Sequence, residues 1–189
     1  MREKNKLIIK EKILNAAEIL LRENENIDFS MRELAKKAEV SFATPFNYFG
    51  DKNSILQELS SRLINEMKNC FDKKDKHNDS ISNLMTMGEI AVEVLLKNPI
   101  LNKFIIGSLN IPRKESLNIK EDSEHLWKAA LENTDELKGG DRLKKELSSQ
   151  IALCFRGNIT FWCTGDIKDE ELKDSFLKGI SFLYYGITH

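Results

Sequence analysis

Little in this chain interrupts a helix. Three prolines (Pro45, Pro99 and Pro112) and nine glycines are spread over 189 residues, so long stretches are free to run as uninterrupted helix. No segment alternates apolar and polar residues as a half-buried strand does, and no internal repeat is visible. A run of about eighteen apolar residues, the length needed to span a bilayer, is missing. The first residues, MREKNKLIIKEK, have no apolar core of the kind a secretory signal carries. A cytoplasmic protein without a membrane partner is the expectation. The cysteines, Cys70, Cys154 and Cys163, are odd in number and lack metal spacing, which points to reduced, partly buried thiols. His77, His125 and His189 are scattered, and no serine or cysteine has a partner base at recognisable spacing. The sequence therefore predicts no metal site, no cofactor, no catalytic residues and no enzyme. A net charge of −1 gives no global argument for nucleic acid.

What is present is helical patterning. The hydrophobic fraction of 41% beside 31% charged residues suits a sizeable core under a well-solvated surface. The most organised stretch is Ser30 to Phe49, SMRELAKKAEVSFATPFNYF. Ser30 is a good N-cap, and Glu33 completes the capping-box spacing. Leu34, Ala35 and Ala38 follow at helical spacing, giving a helix over about 31–38. Ser41 then offers a second N-cap for a helix over about 42–48, with Ala43, Phe46 and Phe49 as its apolar positions. Two short helices around a tight turn outline a helix-turn-helix, whose second helix enters the DNA major groove. An earlier helix over about 6–23 turns Ile13, Ala16, Ala17, Leu20 and Leu21 to one side. Residues 1–12 read either as a frayed terminus or as a basic arm touching phosphates.

Gly50 suits a left-handed cap, and a longer helix over about 53–71 leads out of this unit. The polar stretch 72–80 is a seam. Residues 81–97 are apolar on most sides, as in the middle of a bundle, with Glu89 and Glu93 on a narrow polar stripe. Helices over about 99–108 and 121–137 follow, separated by a loop with Pro112. Two long helices, over about 141–163 and 168–187, close the chain. Each has apolar residues on more than one side. The sequence thus predicts an all-α protein: a three-helix helix-turn-helix domain over 1–52, with its motif at about 30–49, and a helical bundle over 53–189. The terminal helix pair is expected to serve a homodimer, through Ile151, Phe155, Ile159, Trp162, Phe176, Ile180 and Tyr184.

Three runs carry a family resemblance: ILNAAEILL (13–21), FSMRELAKKAEVS (29–41) and NYFGDKNSIL (47–56). In this order they resemble the DNA-binding domain of TetR family transcriptional regulators. The rest of the chain shares the general layout of that family, down to the acidic helix start at Asp169, Glu170 and Glu171. The resemblance implies a ligand-responsive regulator, most often a repressor, that binds a pseudo-palindromic operator in double-stranded DNA. It further implies a cavity in the C-terminal part for a small apolar or amphipathic effector, for which Leu84, Met85, Phe104, Trp127 and Phe155 are the candidate lining residues. The chain departs from the family pattern at Glu39, where the turn usually has Gly, at Ala43 and Pro45, which replace Gly and Leu, and at Phe46, which replaces a Tyr and its hydroxyl. A residue other than Gly at positive φ costs roughly 1 kcal/mol at such a turn. Pro45 falls at about the fourth helical position if Ser41 is the cap, with one backbone bond at stake.

Candidate DNA contacts divide into positioning and reading. Ser30 and Met31 offer backbone N–H groups to a phosphate, and Ser30 is equally a plain cap. Arg32 reaches a phosphate or a base edge, or is a solvated surface Arg. Ser41 opens the second helix. Thr44 and Asn47 are the candidate base readers, Asn through adenine and Thr through a base edge or thymine methyl. Phe42 either meets thymine methyls or packs on the bundle. By resemblance Tyr48 binds phosphate, and Lys52 fits a phosphate contact. Residues 1–56 hold ten Lys/Arg against nine Asp/Glu, so binding would depend on local placement of charge. A protein-interaction adaptor and a helical-bundle enzyme without DNA reading remain the alternatives.

Overall fold

The computed structural model describes the chain except residues 1, 25–28, 109–118, 133, 135, 136, 138 and 189. The loop expected around Pro112 and the residue His189 lie outside the described residues. Nine helices and no strand occur among the described residues: α1 (Arg2–Asn24), α2 (Met31–Lys37), α3 (Ala43–Phe49), α4 (Lys52–Asp72), α5 (Ser80–Leu96), α6 (Pro99–Gly107), α7 (Ile119–Ala130), α8 (Gly140–Thr164) and α9 (Asp169–Thr188). The chain divides into two compact units, with the boundary falling inside α4. One holds Met1–Ser60 with Ile100–Pro112, the other Ser61–Pro99 with Arg113–His189.

In the first unit, α1 begins at Arg2, well before the predicted start near Lys6. The basic stretch is therefore part of a helix rather than a loose arm, because it contains no Gly or Pro to stop one. Ile13, Leu14, Ala17 and Leu21 of α1 are buried with Phe29, Leu34, Ala35, Ala38 and Phe49, and with Ile55, Leu56 and Leu59 of α4. Ion pairs run over this core from Lys10 to Glu58 at 2.7 Å and from Lys37 to Glu23 at 2.6 Å. All four side chains are part-exposed, so each pair adds little stability.

The turn after α2 has the geometry of a Schellman cap. Val40 N–H donates to the Ala35 carbonyl at 3.0 Å and Glu39 N–H to the Lys36 carbonyl at 3.1 Å. That closure places Glu39 at φ +49°, the left-handed position glycine favours. Lys12 meets its carboxylate at 3.0 Å, across an exposed gap.

In the second unit, α5 carries buried residues around most of its circumference, among them Leu84, Met87, Ile90, Ala91 and Val94. Asp79 caps it, accepting from Ser82 N–H at 2.8 Å; the Ser82 side chain, then this backbone bond, holds the Asp79 carboxyl below its ordinary range. Glu89, on the polar stripe, pairs with Lys173 of α9 at 2.9 Å. Gly88 lets α5 lie close against α9. A β-carbon there would stand 2.7 Å from Ile180 Cδ1 and 2.8 Å from Leu177 Cδ2. Helix α7 ends at Ala130 rather than near Leu137: Leu131 N–H folds back to the Lys128 carbonyl at 2.9 Å, and Thr134 Oγ1 donates to the Leu131 carbonyl at 3.0 Å. Gly165 at φ +85° turns α8 into α9, and Trp162 Nε1 donates to Asp169 Oδ1 at 2.8 Å across the corner.

The residues expected at a dimer surface lie inside the single chain. Ile151, Phe155, Ile159, Trp162, Phe176, Ile180 and Tyr184 are all buried within the single chain, the most exposed being Tyr184 at 9%. Their stripes are used up in packing α8 and α9 on α7, α5 and each other. The outward side of the same two helices instead exposes Leu153, Phe161, Phe182 and Tyr185.

Two stability outcomes follow. Replacing Glu39 by Gly relieves the left-handed strain and should raise stability by up to about 1 kcal/mol, seen as a higher midpoint in urea. Gly88→Ala sets the crowding of Ile180 and Leu177, up to roughly 1–3 kcal/mol of overpacking, against a helix-propensity gain of about 1 kcal/mol; the crowding should prevail and lower the midpoint in the same titration.

Candidate nucleic-acid interface

Helix α2 is held at its start by the predicted capping box. Ser30 Oγ accepts from Glu33 N–H at 3.1 Å, and Glu33 Oε2 accepts from Ser30 N–H at 2.7 Å. The bond from the Ser30 backbone, then that with its hydroxyl, lowers the Glu33 carboxyl from its ordinary value. The same bond engages the Ser30 N–H, which the sequence had offered to a phosphate. Met31 is half-buried behind it, and Arg32 and Lys36 project to solvent.

Helix α3 begins one residue later than its sequence suggests. Phe42, not Ser41, occupies the N-cap position, with no side-chain cap bond. The Ser41 hydroxyl is instead 2.6 Å from the Thr44 hydroxyl, and Thr44 N–H donates to the Ser41 carbonyl at 2.9 Å. This start makes Pro45 the third helical residue. Its missing N–H falls among the donors that have no intrahelical acceptor in any case, so the proline removes no helix bond. Pro45 and Phe49, one turn apart, are the buried side of α3.

The opposite side is the surprise. Phe42, Ala43, Phe46 and Asn47 are exposed, while Thr44 and Tyr48 are half-buried. Of the two predicted base readers, Asn47 is on the open face and Thr44 is turned toward Ser41. Ala43 and Phe46, which spacing put on the apolar inner side, point outward. The reason is the phase of a seven-residue helix, which the Pro45–Phe49 pair sets. Phe42 and Phe46 pack edge to face, with ring centroids 5.5 Å apart at 66°.

Below α3, Lys52 opens α4. Its ammonium donates to the Phe29 carbonyl at 3.2 Å and lies 5.0 Å from the centre of the Phe29 ring. Asp51 caps the same helix, accepting from Ser54 N–H at 2.8 Å. Asp is among the residues preferred at this position, and Asp51 just ahead of α4 carries that signal in the sequence.

The residues expected to line an effector cavity are scattered. Trp127 and Phe155 pack at 5.3 Å, and both touch Phe176. Leu84 is fully buried, Met85 is half-buried with its sulfur 4.0 Å from Ser181 Oγ, and Phe104 belongs to the first unit. The buried Trp127 Nε1 has no hydrogen-bond partner among the described residues. A separate hollow of about 430 Å³ is lined by Ser61, Ile64, Asn65 and Lys68 of α4 and by Asp122, His125, Leu126 and Ala129 of α7, among others. None of the five predicted residues lines it. No group of three or more His, Cys, Asp or Glu able to hold a metal occurs among the described residues, and none of their helices is long and apolar enough to cross a membrane.

No protein-family model and no curated protein matches the sequence. Solved structures do match the fold. It is similar to that of a TetR transcriptional regulator from Rhodococcus sp. RHA1, with a TM-score of 0.78 and 17% identity, covering 97% of each chain. It is also similar to a TetR-like transcriptional regulator from the same organism, with a TM-score of 0.53 and 15% identity, over 94% of this chain and 96% of that one. The chain therefore has the all-α TetR-like fold that the resemblance implied.

Ser30→Ala should cost about 1 kcal/mol through loss of the cap, read from the urea midpoint. The capping box also sets a pH dependence. Because the Glu33 carboxyl is lowered in the folded chain, its contribution is complete above the ordinary glutamate value and disappears as pH falls through the lowered one. Acid melts of wild type and Glu33→Gln should converge at low pH and separate toward neutrality.

Proposed function

We propose that this chain is a DNA-binding transcriptional regulator, a cytoplasmic repressor that acts as a homodimer on a pseudo-palindromic operator. One observation carries the reading. In a TetR-like fold, α3 buries Pro45 and Phe49 on one side and, with its N-cap Phe42, presents Ala43, Phe46 and Asn47 on the other. Asn47 reads a base edge from that face, adenine being the base its amide matches. Arg32 and Lys36 supply positive charge toward phosphates from the exposed side of α2, and Lys52 and Tyr48 position the flank. Thr44 acts through Ser41 on the start of α3.

The homodimer forms through the outward side of α8 and α9, where Leu153, Phe161, Phe182 and Tyr185 are exposed. Two recognition helices then stand about one DNA turn apart, roughly 34–36 Å. A small apolar or amphipathic effector enters the C-terminal part and favours a different arrangement; release follows from its unequal affinity for the two states. The indole N–H of Trp127, unpartnered among the described residues, supports an effector carrying a hydrogen-bond acceptor. No catalytic step is part of this reading.

Selection from random duplex DNA with the purified protein should return a pseudo-palindrome. Asn47→Ala should weaken binding to that site by about 1–3 kcal/mol and relax one position, and Arg32→Ala should weaken it evenly while lowering the salt slope by about 1. Binding that ignores both salt and sequence would defeat the proposal. Replacing Phe161 and Phe182 by Glu should give a monomer in analytical ultracentrifugation.

A further inference from the structure

The exposed face of α3 is unusual for a surface meant to meet a polyanion. The helix, ATPFNYF, contains no charged residue. Its open side, continued by the N-cap residue Phe42, carries two phenylalanines, Phe42 at 57% and Phe46 at 42% exposure, and one amide, Asn47. The rings stand one helical turn apart and meet edge to face at 5.5 Å, so each limits the freedom of the other. Two large rings held in water at one spot are costly to leave uncovered, and Pro45 and Phe49 already fill the inner side of this helix.

We infer that Phe42 and Phe46 form one apolar reading head for the C5-methyl groups of pyrimidines in the major groove. The inference rests on the DNA-binding reading above and adds to it the class of sequence that is read. In the major groove the C5-methyl of thymine is the apolar feature among hydrogen-bonding base edges. A neutral aromatic pair finds nothing to gain at a phosphate or at a donor–acceptor edge, and it gains by covering a methyl. Phe46 thus becomes a specificity-determining residue in its own right, and the lack of a hydroxyl there removes a phosphate contact while freeing the ring for a base. Asn47, on the same face, reads a neighbouring purine. Because 5-methylcytosine offers the same methyl at the same ring position, the head accepts it where it accepts thymine and discriminates against uracil and unmethylated cytosine.

The test uses the full chain and the duplex it selects from a random pool. Fluorescence anisotropy is measured on that duplex, on copies in which each thymine in turn is replaced by deoxyuridine, and on copies in which a contacted T·A pair becomes 5-methyl-C·G or C·G. Deoxyuridine at the contacted positions should weaken wild type by about fourfold per methyl lost. The 5-methyl-C·G duplex should bind several-fold better than the C·G one. Phe42→Ala and Phe46→Ala should each bind more weakly and lose the thymine-to-uridine ratio. The uridine duplexes leave the protein untouched, so the result does not depend on how the variants fold. A selected site bound equally well with uridine throughout would overturn the inference and leave the DNA-binding reading standing. Failure to select any sequence would overturn both. If alanine at Phe42 or Phe46 abolishes the dimer in analytical ultracentrifugation while the uridine ratio is unchanged, the rings belong to a protein contact and the inference is wrong.

Discussion

A helix of seven residues has no stability of its own in water, since nucleation costs more than so few bonds return. Both α2 and α3 are that short. Their existence depends on how α2 is fixed at its two ends. The Ser30–Glu33 box closes the first turn, and the Val40 and Glu39 N–H groups close the last. Between them Leu34 and Ala35 anchor the helix to the core. Once α2 is fixed and Glu39 has turned the chain, the direction in which α3 leaves is decided. Pro45 and Phe49 then decide how α3 is rotated. Everything exposed at Phe42, Ala43, Phe46 and Asn47 follows from these few constraints.

Much of this could be read from the residues. The capping box, the awkward left-handed position at Glu39 and the all-helical layout are local matters, settled by neighbours within a few positions. The rotation of α3 was not legible in the same way. Ser41 looks like a cap, but its hydroxyl finds the Thr44 hydroxyl instead, and the buried side is set by Pro45 and Phe49, a pair that the spacing of Ala43, Phe46 and Phe49 does not single out. Phe46 therefore read as an inner residue and is an outer one. The terminal helices show a related limit. Spacing shows that Ile151, Trp162, Phe176 and Ile180 are turned toward something apolar. It does not show whether that is a neighbour in the same chain or a second copy, and here the same chain covers them.

The second unit is drawn together by small residues as much as by large ones. Gly88 lets α5 lie against α9, and Gly179 leaves room for Cys154 Sγ, which a β-carbon there would approach to 2.5 Å. Burial at that point raises the Cys154 thiol above its ordinary value, which disfavours the thiolate. The rings of Phe161, Phe182 and Tyr185 stay on the outside of the helices so drawn together.

The distribution of tryptophan has an optical consequence. The chain has two, Trp127 and Trp162, and both lie in the second unit. Both are fully buried, one with its indole N–H bound to Asp169 and one without a partner among the described residues. Tryptophan emission is thus silent about the unit that holds α2 and α3, whereas Tyr48 sits inside it. Far-ultraviolet dichroism sums over all the helices. If the two units melt apart, emission and dichroism trace different curves, and the gap between them belongs to the recognition unit alone.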